Sequence, residues 1–224
     1  MNKAQKISVS IISLSIAFAV ILGIAARISY KDIDLQKAEF FYTPETSAEV
    51  VAHLSEQSVI NIAEQYDAAF IATVKSNEIS YQISKATVYI DRVVKGDGNL
   101  SGREIVIYSY PYFLYKDAGK EVLTLYIGCN NLMQEGKQYL VFANKVDYGK
   151  EYEEALEMPE YIVNQGSDSL YSFPIDDYRK EYINYSADMH CSDIAKYDYI
   201  CFTEEEAEKI DEIRTAVLDH FLNE

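Results

Sequence analysis

The chain of 224 residues has no tryptophan, four prolines and only three cysteines. So few cysteines exclude the disulfide-dense scaffolds of small secreted domains. Three thiols cannot all pair within one chain, so one is free or intermolecular. The apolar and charged fractions, 49% and 25%, are those of a globular protein and exclude bulk disorder. Positive charge is the scarcest commodity: twenty basic residues face thirty-six acidic ones. Every acidic residue lies at or after Asp32, with sixteen of the basic ones, so that stretch carries a net charge of −20. A field of that sign repels phosphate backbones and excludes nucleic acid as a partner. It also repels anionic headgroups, so the domain does not lie flat on a membrane. Solubility is the simplest use of the charge; a basic partner or a divalent cation is the sharper one.

Catalytic signatures are missing too. The chain has no Gly-x-Ser-x-Gly elbow, no phosphate loop and no Gly-x-Gly-x-x-Gly fingerprint. His190 and Cys191 are adjacent, with Asp188 and Asp193 close by, but zinc ligands need convergent spacings that neighbours on one strand do not provide. No metal site is assigned, and no cofactor is implied. His53 and His220 fall on predicted helices as ordinary surface or packing residues. The carboxylates Glu151, Glu153, Glu154, Glu157 and Glu160 read as a solvated acidic loop, since abundance does not supply the geometry of an acid/base pair. Weak calcium binding there is the alternative, without an EF-hand pattern to support it.

What the chain does have begins at its N-terminus. Ile7 to Ala26 contains no charged residue. Its length matches the roughly 20 apolar residues that cross a bilayer core. A cleaved signal peptide has a shorter apolar core of about 7–15 residues and a small-residue cleavage site, which Gly23, Ala25 and Ala26 would supply. The longer run, closed by Arg27, favours a retained anchor; cleavage and secretion remain the alternative. With no cysteine near the run, a lipoprotein-type anchor is excluded. The positive-inside bias is slight, with Lys3 and Lys6 before the run and Arg27 and Lys31 after it. A short tail and a large following domain fit a single-pass signal anchor over residues 1–29, a linker over 30–46 and an extracytoplasmic domain over 47–224.

Twenty tyrosines and nine phenylalanines lean that domain toward β structure. Ser47 to Tyr66 has helical spacing, as one helix or two, with Ser47 as a cap. Strands are predicted at Ala69–Val74, Tyr81–Val94, Glu104–Tyr110, Val122–Ile127 and Tyr139–Val146, with short ones at Tyr161–Asn164 and Leu170–Phe173. Lys75–Glu78 reads as a turn. The alternation Ile83, Ala86, Val88, Ile90 slips before Val93, the mark of a bulge. The chain ends in an amphipathic helix, capped by Thr203 with Glu206 three residues on. Its stripe is Ala207, Ile210, Ile213, Val217, Leu218 and Phe221. The fold class is therefore mainly β with flanking helices.

The segment Ala63–Val146 resembles the netrin-like and tissue-inhibitor-of-metalloproteinase-like domains. The likeness is carried by AEQYDAAFIATV at Ala63–Val74, IDRVVKG at Ile90–Gly96, the strand Ile105–Tyr108 and GKQYLVF at Gly136–Phe142. The resemblance implies an OB-like five-stranded barrel with flanking helices. It does not carry inhibition over: the inhibitors chelate zinc through an N-terminal cysteine within Cys-x-Cys, which this chain lacks.

Two candidate sites follow. Tyr108 to Tyr115 (YSYPYFLY) places Tyr108, Tyr110, Tyr112, Phe113 and Tyr115 at a strand end and the loop after it. Exposed together, they would form an interface or a sugar-stacking surface; the alternative is that they close the barrel. Cys191 and Cys201 enclose nine residues and fit a small disulfide loop in an oxidising compartment, three buried thiols being the alternative. The expected function is that of a non-enzymatic, membrane-tethered domain that binds a protein or a cell-surface polymer. The alternative is a Ca²⁺- or Zn²⁺-dependent sensor, or a hydrolytic enzyme, built on the acidic loops.

Overall fold

A computed structural model describes residues 19, 20, 22, 38–41, 44–80, 83–110, 112–117, 120–125, 129–149, 156–163, 170–186 and 189–223. The chain divides into two units, Met1–Ile33 and Asp34–Glu224. In the first, Ala19, Val20 and Leu22 are helical, and Val20 and Leu22 are 54% and 53% exposed. The rest of the Ile7–Ala26 run lies outside the described residues. Among the described residues no helix is long and apolar enough to cross a membrane.

In the second unit the chain opens with strand β1 (Glu39–Phe41), inside the stretch read as a linker, and two short helices, α1 (Pro44–His53) and α2 (Glu56–Ala63). Pro44 begins α1, where its missing N–H costs nothing and its fixed φ suits the first turn. The helical stretch breaks at Leu54–Ser55 because Ser55 caps a second helix. The Ser55 hydroxyl accepts from the Ser58 N–H at 3.2 Å, and the Ser58 hydroxyl accepts from the Ser55 N–H at 3.0 Å. The expected cap, Ser47, instead lies within α1.

Strands β2 (Ala68–Ser80), β3 (Ile83–Lys95), β4 (Glu104–Ser109), β5 (Tyr112–Asp117), β6 (Lys120–Leu125), β7 (Gln138–Lys145), β8 (Glu160–Ile162) and β9 (Ser172–Pro174) follow. Five of them close a barrel in the order β2-β3-β4-β8-β7, with β7 paired back onto β2. All neighbours are antiparallel except β4 and β8, which run parallel from Val106↔Glu160 to Tyr108↔Ile162. β9 extends the sheet beyond β7. The hairpin β5–β6, with β1 parallel to β6, forms a separate three-stranded sheet.

Inside the barrel, β3 buries Ser84, Ala86, Val88 and Ile90 and turns the intervening residues outward, Ile83 among them. The bulge expected after Ile90 is present. Ile71 pairs with Arg92 and Ala72 with Ile90, so Asp91 is the extra residue. The Lys75–Glu78 turn is not. β2 runs through it, because Ser76, Asn77 and Glu78 pair with Thr87, Ala86 and Lys85. This arm projects past the core, so polar residues suit it. Asn77 completes it by donating to the Met133 carbonyl at 2.9 Å and accepting from the Ser84 hydroxyl at 2.6 Å.

The sequence IDRVVKG has a packing role. Lys95 Nζ donates to the carbonyls of Glu64 and Tyr66, at 2.7 and 2.5 Å, and so satisfies the end of α2. Gly96 has φ +105°, and a Cβ there would stand 3.3 Å from both the Ala68 Cβ and the Asp67 carbonyl oxygen. These two residues clamp the α2–β2 corner onto the end of β3.

Helix α3 (Cys191–Ile194) is a single turn, and α4 (Glu204–Leu222) closes the fold. The Thr203 hydroxyl accepts from the Glu206 N–H at 3.2 Å. The Glu206 carboxylate reaches one residue past the cap and accepts from the Phe202 N–H at 2.7 Å. The expected stripe is the buried one: Ala207, Ile210, Ile213 and Val217 are inside, with Leu218 and Phe221 half-buried against the core. Phe142 of β7 is the ring on which it converges. Phe221 packs edge-on at 4.8 Å and Phe173 edge-on at 5.8 Å, with Tyr66 tilted at 6.2 Å.

Candidate functional site

The parallel seam between β4 and β8 brings together residues far apart in sequence. β4 ends at Tyr108 and Ser109; β8 begins at Glu160; Tyr148 stands on the connection from β7 to β8. Tyr108 donates its hydroxyl to Glu160 Oε1 at 3.0 Å, and Tyr148 donates to Glu160 Oε2 at 2.7 Å. One carboxylate is thus gripped by two phenols. Burial, and then the hydrogen bond and charge of Glu160, push the Tyr108 hydroxyl up to about 12. The hydrogen bond to Glu160 is the first cause that raises Tyr148. Tyr148 is 43% exposed, so the cluster opens to solvent along one ring. Tyr110 is half-buried and lies near enough to Tyr148 for its charge to be felt there.

Beside this cluster a cleft of about 360 Å³ runs along the same seam. Leu100, Arg103, Lys145, Leu156, Glu157 and Tyr161 line it with Glu160. Asp97 shapes its floor by accepting from the Asn99 N–H at 3.0 Å, which forms the turn Gly98–Leu100 and sinks Leu100 into the core. The wall is therefore mixed: apolar at Leu100 and Leu156, cationic at Arg103 and Lys145, anionic at Glu157 and Glu160. Both Glu160 oxygens already accept from phenols. The arrangement suits recognition by stacking and hydrogen bonding better than proton transfer.

Of the five aromatic residues expected to act as one surface, the structure divides the set. Tyr108 and Tyr110 belong to the end of barrel strand β4. Tyr112, Phe113 and Tyr115 belong to β5 in the other sheet, facing Leu125, Thr124 and Val122 across the hairpin; their side chains lie outside the described part of the structure. Tyr148 was not a candidate, and Glu160 reads in the sequence only as part of a solvated acidic loop, with weak calcium binding as the alternative. No local pattern marks them, since their partnership with Tyr108 spans 40 residues or more.

The remaining candidates are buried. Cys129, Cys191 and Cys201 are unpaired thiols with at most 2% exposure. Burial pushes Cys129 and Cys191 up to about 12 and holds Cys201 well above the ordinary thiol value. None is a reactive thiolate. The His190 N–H donates to the Asp193 carboxylate at 3.1 Å, while its Nδ1 is buried without a hydrogen bond. Among the described residues no group of three His, Cys, Asp or Glu could hold a metal ion. Glu151, Glu153, Glu154 and Asp188 lie outside those residues. His220 sits 3.1 Å from Glu64 and edge-on to Phe221, a packing role.

A second polar cluster works as a lock. Asp198, its side chain 3% exposed, accepts from Lys137 Nζ at 2.9 and 3.0 Å, from Gln134 Nε2 at 3.2 Å and from the Tyr139 hydroxyl at 3.3 Å. Those bonds tie the turn before β7 to the segment that leads into α4. The pair is fully satisfied, as a buried ion pair must be. No protein-family model matches this chain, and no curated protein matches it.

Proposed function

We propose that the chain is a membrane-tethered binding domain. An N-terminal helix over roughly Ile7–Ala26 would hold an extracytoplasmic, OB-like barrel that engages a protein or a cell-surface polymer. Numbered along the chain, the five barrel strands stand in the order 1-2-3-5-4 and close on 1, with only strands 3 and 5 parallel. That connectivity supports an OB-like assignment, in agreement with the resemblance to netrin-like domains. OB barrels hold their ligands on strands 2 and 3 and on the loops joining strands 1–2 and 4–5.

The observation that carries the reading is the Tyr108–Glu160–Tyr148 cluster. It lies at the end of barrel strand 3 and on the loop that joins strands 4 and 5. Ser84, at the start of β3, pairs with Ser109, so the start of barrel strand 2 flanks the same place. Exposed phenol, oriented carboxylate and an adjoining cleft suit a neutral or cationic ligand such as a glycan chain or a basic peptide.

Affinity capture of the full chain from cross-linked membranes tests the proposal, with Tyr148→Ala and Glu160→Gln as variants. The wild type should retain a specific partner that both variants lose at unchanged melting temperature. Capture of the same partner by both variants at wild-type level, or no capture by the wild type, would refute it.

A further inference from the structure

Cys129 lies on the crossing from β6 to β7, and Cys201 lies two residues before the Thr203 cap of α4. Their backbones run side by side. Asn130 and Tyr199 form an antiparallel bridge, and the Ile200 N–H donates to the Cys129 carbonyl at 2.9 Å. The bridge sets Cys129 opposite Ile200, and Cys201 is the next residue, where the pairing ends. Facing Cα atoms are about 4.5–5.5 Å apart, and one residue along the strand puts the Cys129 and Cys201 Cα atoms roughly 6 Å apart. A disulfide tolerates a Cα separation of about 4.4–6.8 Å. Both side chains, 2% and 1% exposed, belong to one continuous core cluster, from which Cys191 is absent. Cys191 instead starts α3, where its N–H donates to the Ala38 carbonyl at 3.0 Å. The Glu206 carboxylate lies near enough to both thiols to raise each of them.

We propose that Cys129 and Cys201 form an intramolecular disulfide when the chain folds in an oxidising compartment, and that Cys191 stays a thiol. The oxidant is a disulfide donor, either a dithiol–disulfide oxidoreductase or oxidised glutathione. One thiolate attacks the donor disulfide and forms a mixed disulfide. The second thiolate then displaces the donor sulfur. The pair of cysteines loses two protons and two electrons, and the donor leaves as its reduced thiols. Both sulfurs are buried and their thiols are held protonated in the finished fold, so exchange takes place while the chain is still folding. The bond staples the β6–β7 crossing to the start of α4. Its presence in the cell rests on the extracytoplasmic placement proposed above; its formation in vitro does not.

The full chain, unfolded and refolded in a glutathione redox buffer, is alkylated and mapped by mass spectrometry, with Cys191→Ser, Cys129→Ser and Cys201→Ser in parallel. Wild type and Cys191→Ser should each protect two thiols, yield the Cys129–Cys201 peptide and lose thermal stability on reduction. Cys129→Ser and Cys201→Ser should form no internal bridge. Cys191→Ser decides the matter even where another variant fails to fold, because only one pair remains. A Cys191–Cys201 peptide, or full alkylation of refolded Cys191→Ser, overturns the proposal. A bond that forms in glutathione but is absent from protein isolated from cells under acid quench counts against the extracytoplasmic placement and leaves the pairing standing.

Discussion

Replacing Lys95 by Met keeps the aliphatic stem along the barrel wall and removes only the ammonium. Two carbonyls at the end of α2, those of Glu64 and Tyr66, then lose a donor at 2.7 and 2.5 Å. A hydrogen bond to a charged group contributes about 1.5–3 kcal/mol. A cation at a helix C-terminus adds about 0.3–1 kcal/mol through the dipole. The full sum is not reached, because the Glu64 carbonyl is exposed and water takes the place of one bond. A loss of about 2–3 kcal/mol is expected. For a domain of this size it lowers the melting temperature by roughly 5–10 °C. Urea unfolding followed by circular dichroism should show an earlier midpoint at unchanged slope. Lys95→Arg, which keeps the charge, should fall between the two. A Lys95→Met loss below about 0.5 kcal/mol would show that the signature lysine does not hold the helix end.

Gly96→Ala should destabilise by about 1–3 kcal/mol, since the alanine must adopt a positive φ and press its Cβ on the Asp67–Ala68 backbone; the same urea titration reads it, and a neutral result would refute the close approach. Ile210→Ala, at a fully buried site on α4, should cost about 2–5 kcal/mol by leaving a cavity, with a wild-type midpoint as the contrary outcome. Stability should fall as pH rises from about 10 to 12. Tyr171 loses its proton at about 12 when folded, because burial disfavours the phenolate, against 10.0 when unfolded. The raised value makes this contribution complete below the unfolded pKa and lost as pH climbs through the folded one. That group alone is worth roughly 2–3 kcal/mol, and a melting temperature constant from pH 9 to 12 would refute the reasoning.

Elements whose apolar pattern is local were legible before the fold was seen. The terminal helix was written in Thr203, Glu206 and the stripe from Ala207 to Val217, and β3 in its alternation and slip. Errors came where tertiary partners override composition. Lys75–Glu78 looks like a turn, yet pairing with Lys85–Thr87 holds it extended. The aromatic run after Tyr108 spans two sheets, the chain passing from the barrel to the other sheet between Tyr110 and Tyr112. The candidate cluster was half legible. Tyr108 and Tyr110 stood out by composition, whereas Tyr148 and Glu160 reach them only through a parallel pairing of β4 with β8. Parallel pairs need long connections, so no short-range signal announces them.

The scarcity of cations that opens the sequence takes on a structural meaning here. Lys95 is turned onto helix carbonyls, Lys137 onto Asp198, and Lys209 onto the Ala52 carbonyl at 3.0 Å. Arg214 donates to the Pro174 carbonyl at 2.7 Å with its guanidinium 4.2 Å from the Tyr178 ring. Lys95 joins β3 to α2, Lys137 joins the turn before β7 to the segment before α4, Lys209 joins α4 to α1, and Arg214 joins α4 to β9. A basic side chain committed to internal carbonyls offers little to an incoming anion, while among the described residues the buried carboxylates are Asp198 and Glu206. The field over the domain stays negative, as the net count of −20 requires. Arg103 and Lys145 stand in the cleft beside Glu160 as local exceptions within that field. A ligand that offers a carboxylate or sulfate to those two side chains, within an otherwise neutral or cationic body, would match the seam better than a uniformly charged one.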